Sequence, residues 1–84
     1  MTAKTLKNLS AYKKAIGAKQ TIRALEKEIV LKVFLGNDAD EHVILPIVKL
    51  CESKKVEIDK SFTMVELGKL CEIQVGAAAI AIIK

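Results

Sequence analysis

Two short segments carry side chains whose types and spacing could do chemistry. The first is Gly17-Ala18-Lys19-Gln20-Thr21-Ile22-Arg23. Glycine lets a backbone approach a partner closely, and a helix opening behind it presents its first N–H groups to whatever lies there. Lys19, Gln20 and Arg23 add side-chain donors within one turn. A lysine can donate to guanine O6 and N7, and a glutamine both donates and accepts at a base edge. An arginine grips a phosphate with two parallel hydrogen bonds. The alternative is an exposed helix start with ordinary polar residues. The second segment is Ile73-Gln74-Val75-Gly76. Its two large apolar residues stand between a helix and a strand, where polar turn residues are usual. Either they face inward as core, or they offer apolar surface to something unstacked, such as a splayed nucleotide. Residue chemistry alone leaves both open.

The remaining reactive side chains have ordinary explanations. His42 is the only histidine, and its neighbours Asp38, Asp40 and Glu41 suit a helix start better than a metal site, which needs several converging ligands. No metal or other cofactor is expected. Cys51 and Cys71 match no zinc or redox spacing, and both fall on apolar helix faces, where a free cysteine behaves as a small buried hydrophobe. Asp38 and Asp40 follow a strand, but without partner acids they read as caps. No glycine-rich phosphate loop, nucleophile elbow or carboxylate pair with a base is present, so no enzymatic activity is expected.

The elements that must position these segments follow from periodicity. Leu6, Leu9 and Ile16 lie near helical spacing, which predicts an amphipathic helix over 5–15 that Gly17 ends. A second helix, 19–28, places Ile22, Leu25 and Ile29 on one side and Lys19, Arg23 and Lys27 in a single ridge on another. Val30 to Leu35 is a β-branched and aromatic run that reads as a buried strand, closed by the turn residues Gly36-Asn37-Asp38. Pro46 disfavours a helix running through it, so a helical turn at 40–44 and a separate helix from Pro46 to Lys54 are expected. Val48 and Cys51 fall on the inner side of that helix. Val56-Glu57-Ile58 reads as a short strand. Thr63-Met64-Val65-Glu66 is a capping box opening a helix to about Cys71, with Val65 and Leu67 to Leu70 buried and Gly68 allowing close packing. Ala77 to Ile83 forms the last strand, apolar on both sides and therefore covered by helices on both faces of the sheet. The result is an α/β protein, a three-layer α/β/α sandwich with a small central mixed sheet.

Composition sets outer limits. With 84 residues, one domain spanning 1–84 is expected. The longest strongly apolar stretch, Val75 to Ile83, is far shorter than the ~20 residues of a membrane-spanning helix. The two cysteines and the lack of a signal-type apolar run at the start point to a cytoplasmic chain without disulfides. Three aromatics in the whole chain exclude an aromatic base-stacking platform. The net charge of +4 is uneven: residues 1–28 hold seven bases against two acids, while residues 29–59 hold four against six. A basic first third favours a polyanionic partner, the alternative being a solvated lysine-rich helix surface.

Taken in order, Gly17 to Leu25, Asn37-Asp38-Ala39-Asp40, Leu45-Pro46 with Cys51-Glu52, Leu67 to Cys71, and Val75 to Ile82 resemble the kink-turn RNA-binding ribosomal-protein family. That family includes the archaeal "seven-Ae" and "thirty-e" large-subunit proteins, and the likeness is greatest to its short bacterial members, of the YbxF type. It extends from about residue 11 to the C-terminus. The resemblance implies a non-catalytic monomer that binds kink-turns in ribosomal or regulatory RNA: internal loops with tandem sheared G·A pairs beside a three-nucleotide bulge. By position, Lys19, Gln20 and Arg23 match the residues that read the guanines and adjoining backbone, with Lys27 further along the same ridge. Gly17 and Thr21 match residues that shape the helix start. Ile73, Gln74, Val75 and Gly76 match the loop that covers the extruded nucleotide. The chain departs from the archaeal pattern in carrying Lys19-Gln20 for Asn-Glu, which removes a carboxylate acceptor and adds a cation, and Glu41 for a proline. Greater salt sensitivity is the expected consequence. The competing reading is a protein-interaction module that docks through the Ile73–Val75 loop.

Overall fold

In the computed structural model, which describes residues 13–84, the β-branched run forms the strand its composition predicts, β2 (Val30–Leu35). Around it the chain runs β1 (Lys14–Ile16), α1 (Ala18–Glu26), β2, α2 (Glu41–Lys54), β3 (Glu57–Asp59), α3 (Met64–Leu70) and β4 (Ala79–Ile83). The strands form one mixed sheet in the order β1-β4-β2-β3. β4 is antiparallel to both β1 and β2, while β2 and β3 are parallel and are joined through α2.

Alternation along the two central strands divides the core in two. Val33 and Leu35 of β2, with Ala79 and Ala81 of β4, pack against Ala24 and Leu25 of α1 and Ile47 and Cys51 of α2. Phe34, Ile80 and Ile82 point the other way, onto Leu67 and Cys71. The expected sandwich with helices on both faces is therefore present. The small side chains of Ala79 and Ala81 let α1 lie close over β4, and each of these alanines is fully buried.

Several boundaries differ from the sequence expectation. Residues 5–12 of the expected first helix lie outside the described residues, and Lys14 and Ala15, placed in it, belong to β1. Three edge residues, paired Lys14 to Ile82 and Ile16 to Ile80, are too few to show a two-residue period against the helical spacing of the leucines before them. α1 begins one residue earlier and ends two residues sooner than expected, and Ile29, placed on its apolar side, lies beyond it and is 36% exposed. α2 is one continuous helix with Pro46 inside it. Proline there removes only the N–H that would reach His42, and both residues are exposed, so water can serve the released carbonyl. β3 starts at Glu57 and not at Val56, and β4 starts at Ala79 and not at Ala77, although Ala77 is buried. Val65, expected in the core, is 59% exposed.

Because β1, β2 and β3 all run in one direction, the three helices of the described residues start at the same end of the sheet. β4 also enters from that end. Four main-chain hydrogen bonds hold it together: Gly17 N–H to Ala79 C=O (2.8 Å), Gly36 N–H to Ala78 C=O (2.9 Å), Asn37 N–H to Phe62 C=O (2.9 Å) and Ala77 N–H to Met64 C=O (3.1 Å).

Candidate nucleic-acid interface

The three helix starts at this end are chemically unlike. At α2, Asp40 accepts the His42 N–H at 2.8 Å, and Glu41 adds a second carboxylate in the first turn. At α3, the Thr63 hydroxyl accepts the Glu66 N–H at 3.2 Å and the Glu66 carboxylate accepts the Thr63 N–H at 2.8 Å, the capping box read from the sequence. α1 has neither. Its N-cap is Gly17, which makes no side-chain cap, and its first turn holds no acid. The positive end of this helix dipole is therefore open, whereas the other two are neutralised by their own carboxylates.

Gly17 itself sits at φ 102°, ψ 159°, a backbone region that essentially only glycine occupies. This conformation turns the chain from the end of β1 into α1 while the Gly17 N–H stays bonded to Ala79. One turn later Thr21 is fully buried, its N–H donating to the Gly17 carbonyl at 3.0 Å. Its Oγ1 is buried with no hydrogen-bond partner, so the side chain acts as packing beneath the helix start.

Lys19, Gln20, Arg23 and Lys27 are all exposed. At 100° per residue they fall within one arc of α1, opposite the buried Thr21 and Leu25. Among the described residues, none of Lys19, Arg23 and Lys27 makes an ion pair, whereas Lys32 pairs with Glu57 and Asp59 and Lys54 with Glu28. An open helix N-terminus, a side-chain amide and three cations without ion pairs among the described residues thus share one surface.

The second segment stands at the same end. Between α3 and β4 the chain turns through Glu72, in the left-handed region at φ 58°, and Ile73 N–H returns to Gly68 C=O at 3.0 Å. The two alternatives for Ile73 and Val75 are divided between them. Ile73 is half-buried against the Phe34–Leu67 cluster and anchors the loop. Val75 is 70% exposed and, with Gln74 and Gly76, forms its outward tip. Gly68 is required beneath this tip, because a methyl group there would collide with the Val75 carbonyl oxygen.

Sequence reading missed two contributors. Val65, one residue into α3, is an exposed apolar side chain on the helix against which the loop is packed; its capping-box context pointed to a helix start but not to which side it faces. Met64 joins the loop to the turn after β2, a contact across the fold with no local signal. No group of three or more potential metal ligands occurs among the described residues. Cys51 and Cys71 are free and buried, in clusters on opposite faces of the sheet. Burial pushes the Cys51 thiol up to about 11, which keeps it protonated and unreactive.

Comparison with known proteins agrees with this architecture. The whole chain, residues 1–84, matches the ribosomal protein L7Ae/L30e/S12e/Gadd45 family, and the chain belongs to that family. Among curated relatives, the RNA-binding protein YbxF of Geobacillus stearothermophilus is 44% identical over 78 residues, 93% of this chain and 95% of the relative. An RNA-binding protein of Caldanaerobacter subterraneus is 45% identical over 69 residues, 82% and 84% of the two chains. Among solved structures, the Giardia lamblia 15.5kD RNA binding protein superposes with a TM-score of 0.86 at 20% identity, covering 99% of this chain and 73% of the other. A protein of unknown function from Bacillus halodurans C gives 0.87 at 22% identity, covering 98% and 86%. At these identities the structural likenesses establish the fold.

Proposed function

We propose that this chain is a non-catalytic RNA-binding protein that recognises kink-turns, in ribosomal or regulatory RNA. The observation that carries the reading is the uncapped N-terminus of α1, with Lys19 and Gln20 in its first turn and Arg23 one turn on, at the same end of the sheet as the exposed Val75 loop. Regular A-form RNA has a major groove too deep and narrow for side chains to read. A kinked duplex opens that groove, and one helix start can enter it with few side chains. Lys19 and Gln20 then meet guanine edges, Arg23 and Lys27 meet phosphates, and Val75 covers the base extruded from the bulge while Ile73 holds the loop to the core. Gly17 gives the approach and Thr21 supports it from beneath.

Single variants test the assignment. Lys19→Ala and Gln20→Ala are expected to lose on the order of 1–3 kcal/mol of binding, and Arg23→Ala to weaken binding and flatten its salt dependence, with unfolding curves unchanged. Undiminished affinity in all three overturns the site.

A further inference from the structure

The surface that would read the RNA does not end at the start of α1. A groove of about 280 Å³ runs between α1 and the edge strand β1, floored by Ala15, Ala24 and Ile83 and walled by Gln20, Arg23 and Lys27. Gln20 belongs both to the helix start and to this groove, and Arg23 follows one turn on in its wall, so the two are one continuous surface. From Lys19 to Lys27 the helix rises about 12 Å, at 1.5 Å per residue.

Lys13 stands next to this groove, two residues before Ala15 and bonded through its main chain to Ile83, both of which line it. The ladder between β1 and β4 continues past Lys14, with the Ile83 N–H donating to the Lys13 carbonyl at 2.9 Å. Alternation along that ladder puts Lys13 on the same face as Ala15, which lines the groove. Lys13 is exposed and, among the described residues, forms no ion pair. Among the described residues, no carboxylate side chain lines the groove. Of the two acids near the end of α1, Glu28 is turned toward Lys54, 3.5 Å away, and Glu26 lies on the flank away from Gln20. The charged side chains that line the groove, Arg23 and Lys27, are therefore both cations, with Lys13 beside them on the strand, and its floor is apolar.

We propose that this groove holds the phosphate backbone of the RNA stem adjoining the recognised loop, with Lys13 as a phosphate contact beside it. The inference rests on the kink-turn reading. It assigns the stem a contact distinct from base recognition: Lys13 adds affinity through counterion release and carries no sequence information.

The test is a salt titration of the full chain against kink-turn RNAs that share one loop, with each stem in turn either extended or cut to a minimal length. Wild-type protein is expected to bind one extended RNA more tightly, with a steeper dependence of log K on log salt. Lys13→Gln is expected to lower that slope by about one on the extended RNA only, and Lys13→Arg to restore it. Preference for the kink-turn over a Watson–Crick control is expected to be the same in all three proteins. Identical slopes for wild type and Lys13→Gln on every RNA, with kink-turn preference intact, overturn the groove assignment alone and leave that surface to another partner, such as an acidic protein segment. Loss of kink-turn preference in the wild type overturns both readings.

Discussion

The Asp38 carboxylate, through Oδ1, accepts the main-chain N–H of Met64 at 2.9 Å, joining the turn after β2 to the first residue of α3. Met64 is also the residue on which two glycines close: a Cβ on Gly36 would stand 2.6 Å from its Cγ, and one on Gly76 3.3 Å from its Cβ. With the Ala77 N–H bonded to the Met64 carbonyl, this one residue links the β2–α2 turn to the base of the Val75 loop. A hydrogen bond to a charged acceptor contributes about 1.5–3 kcal/mol, with exposed groups toward the low end. Asp38→Ala is expected to lower unfolding stability in urea by about 1–2 kcal/mol, and Asp38→Asn by less, since it keeps an acceptor. An unchanged midpoint in Asp38→Ala would remove Asp38 from the scaffold of the site.

Two glycines are expected to resist alanine for different reasons. At Gly17 there is open space around the missing Cβ, so the cost of Gly17→Ala is that of forcing alanine to φ 102°, about 1–3 kcal/mol. At Gly68, in the middle of α3, alanine is ordinarily better than glycine by up to ~1 kcal/mol. Here the collision with the Val75 carbonyl reverses the sign, and the loop must move to admit the methyl. Thermal unfolding of the two variants, together with the amide shifts of residues 73–76, separates these cases. A more stable Gly68→Ala protein with unmoved loop resonances contradicts the packing described.

Val75 and Ile73 are expected to part company when each is replaced by aspartate. Val75→Asp changes an exposed position, so its stability should stay within about 0.5 kcal/mol of wild type while RNA affinity falls. Ile73→Asp puts a charge against the Phe34–Leu67 cluster and should unfold the loop or the domain. A Val75→Asp protein that retains full RNA affinity but loses a protein partner would favour the interaction-module reading.

Alkaline pH should weaken the fold through Cys51. Its thiol is raised from 9.0 to about 11 by burial among Leu25, Ile47 and their neighbours, so the unfolded chain ionises first. The contribution is fully present below pH 9 and is lost as pH rises toward 11. Urea midpoints between pH 8 and 11 should fall more steeply in the wild type than in Cys51→Ala, which is less stable at pH 8 because of the cavity it leaves. Parallel pH profiles would contradict burial of this thiol.

What could be read from the residues follows from how local each signal is. The Thr63–Glu66 capping box and the Val30–Leu35 strand are written in consecutive residues, and both formed as expected. The Lys19–Arg23–Lys27 ridge needs only helical geometry. β1 needed β4, 65 residues away, to be recognised as a strand at all. Pro46 misled because proline's cost in a helix depends on which side faces water, and that is set by packing on Ile47 and Cys51. Val65 satisfies the capping-box pattern equally well facing in or out. The ambiguity over Ile73 and Val75 was real: the loop uses one as an anchor and the other as surface, a division made by the turn at Glu72. The asymmetry of the three helix starts was half visible, since Asp40 and Thr63 announce caps and Gly17 does not. That they share one end of the sheet depended on the strand directions.

The most direct test of kink-turn recognition is a titration of purified protein into two matched hairpin RNAs, one with a kink-turn and one with its G·A pairs replaced by Watson–Crick pairs, at two salt concentrations. The open α1 start and the Val75 loop predict a strong preference for the kink-turn that persists at the higher salt. Equal binding to both RNAs, abolished by salt, would mean that the cations of α1 attract any polyanion and would contradict structure-specific recognition.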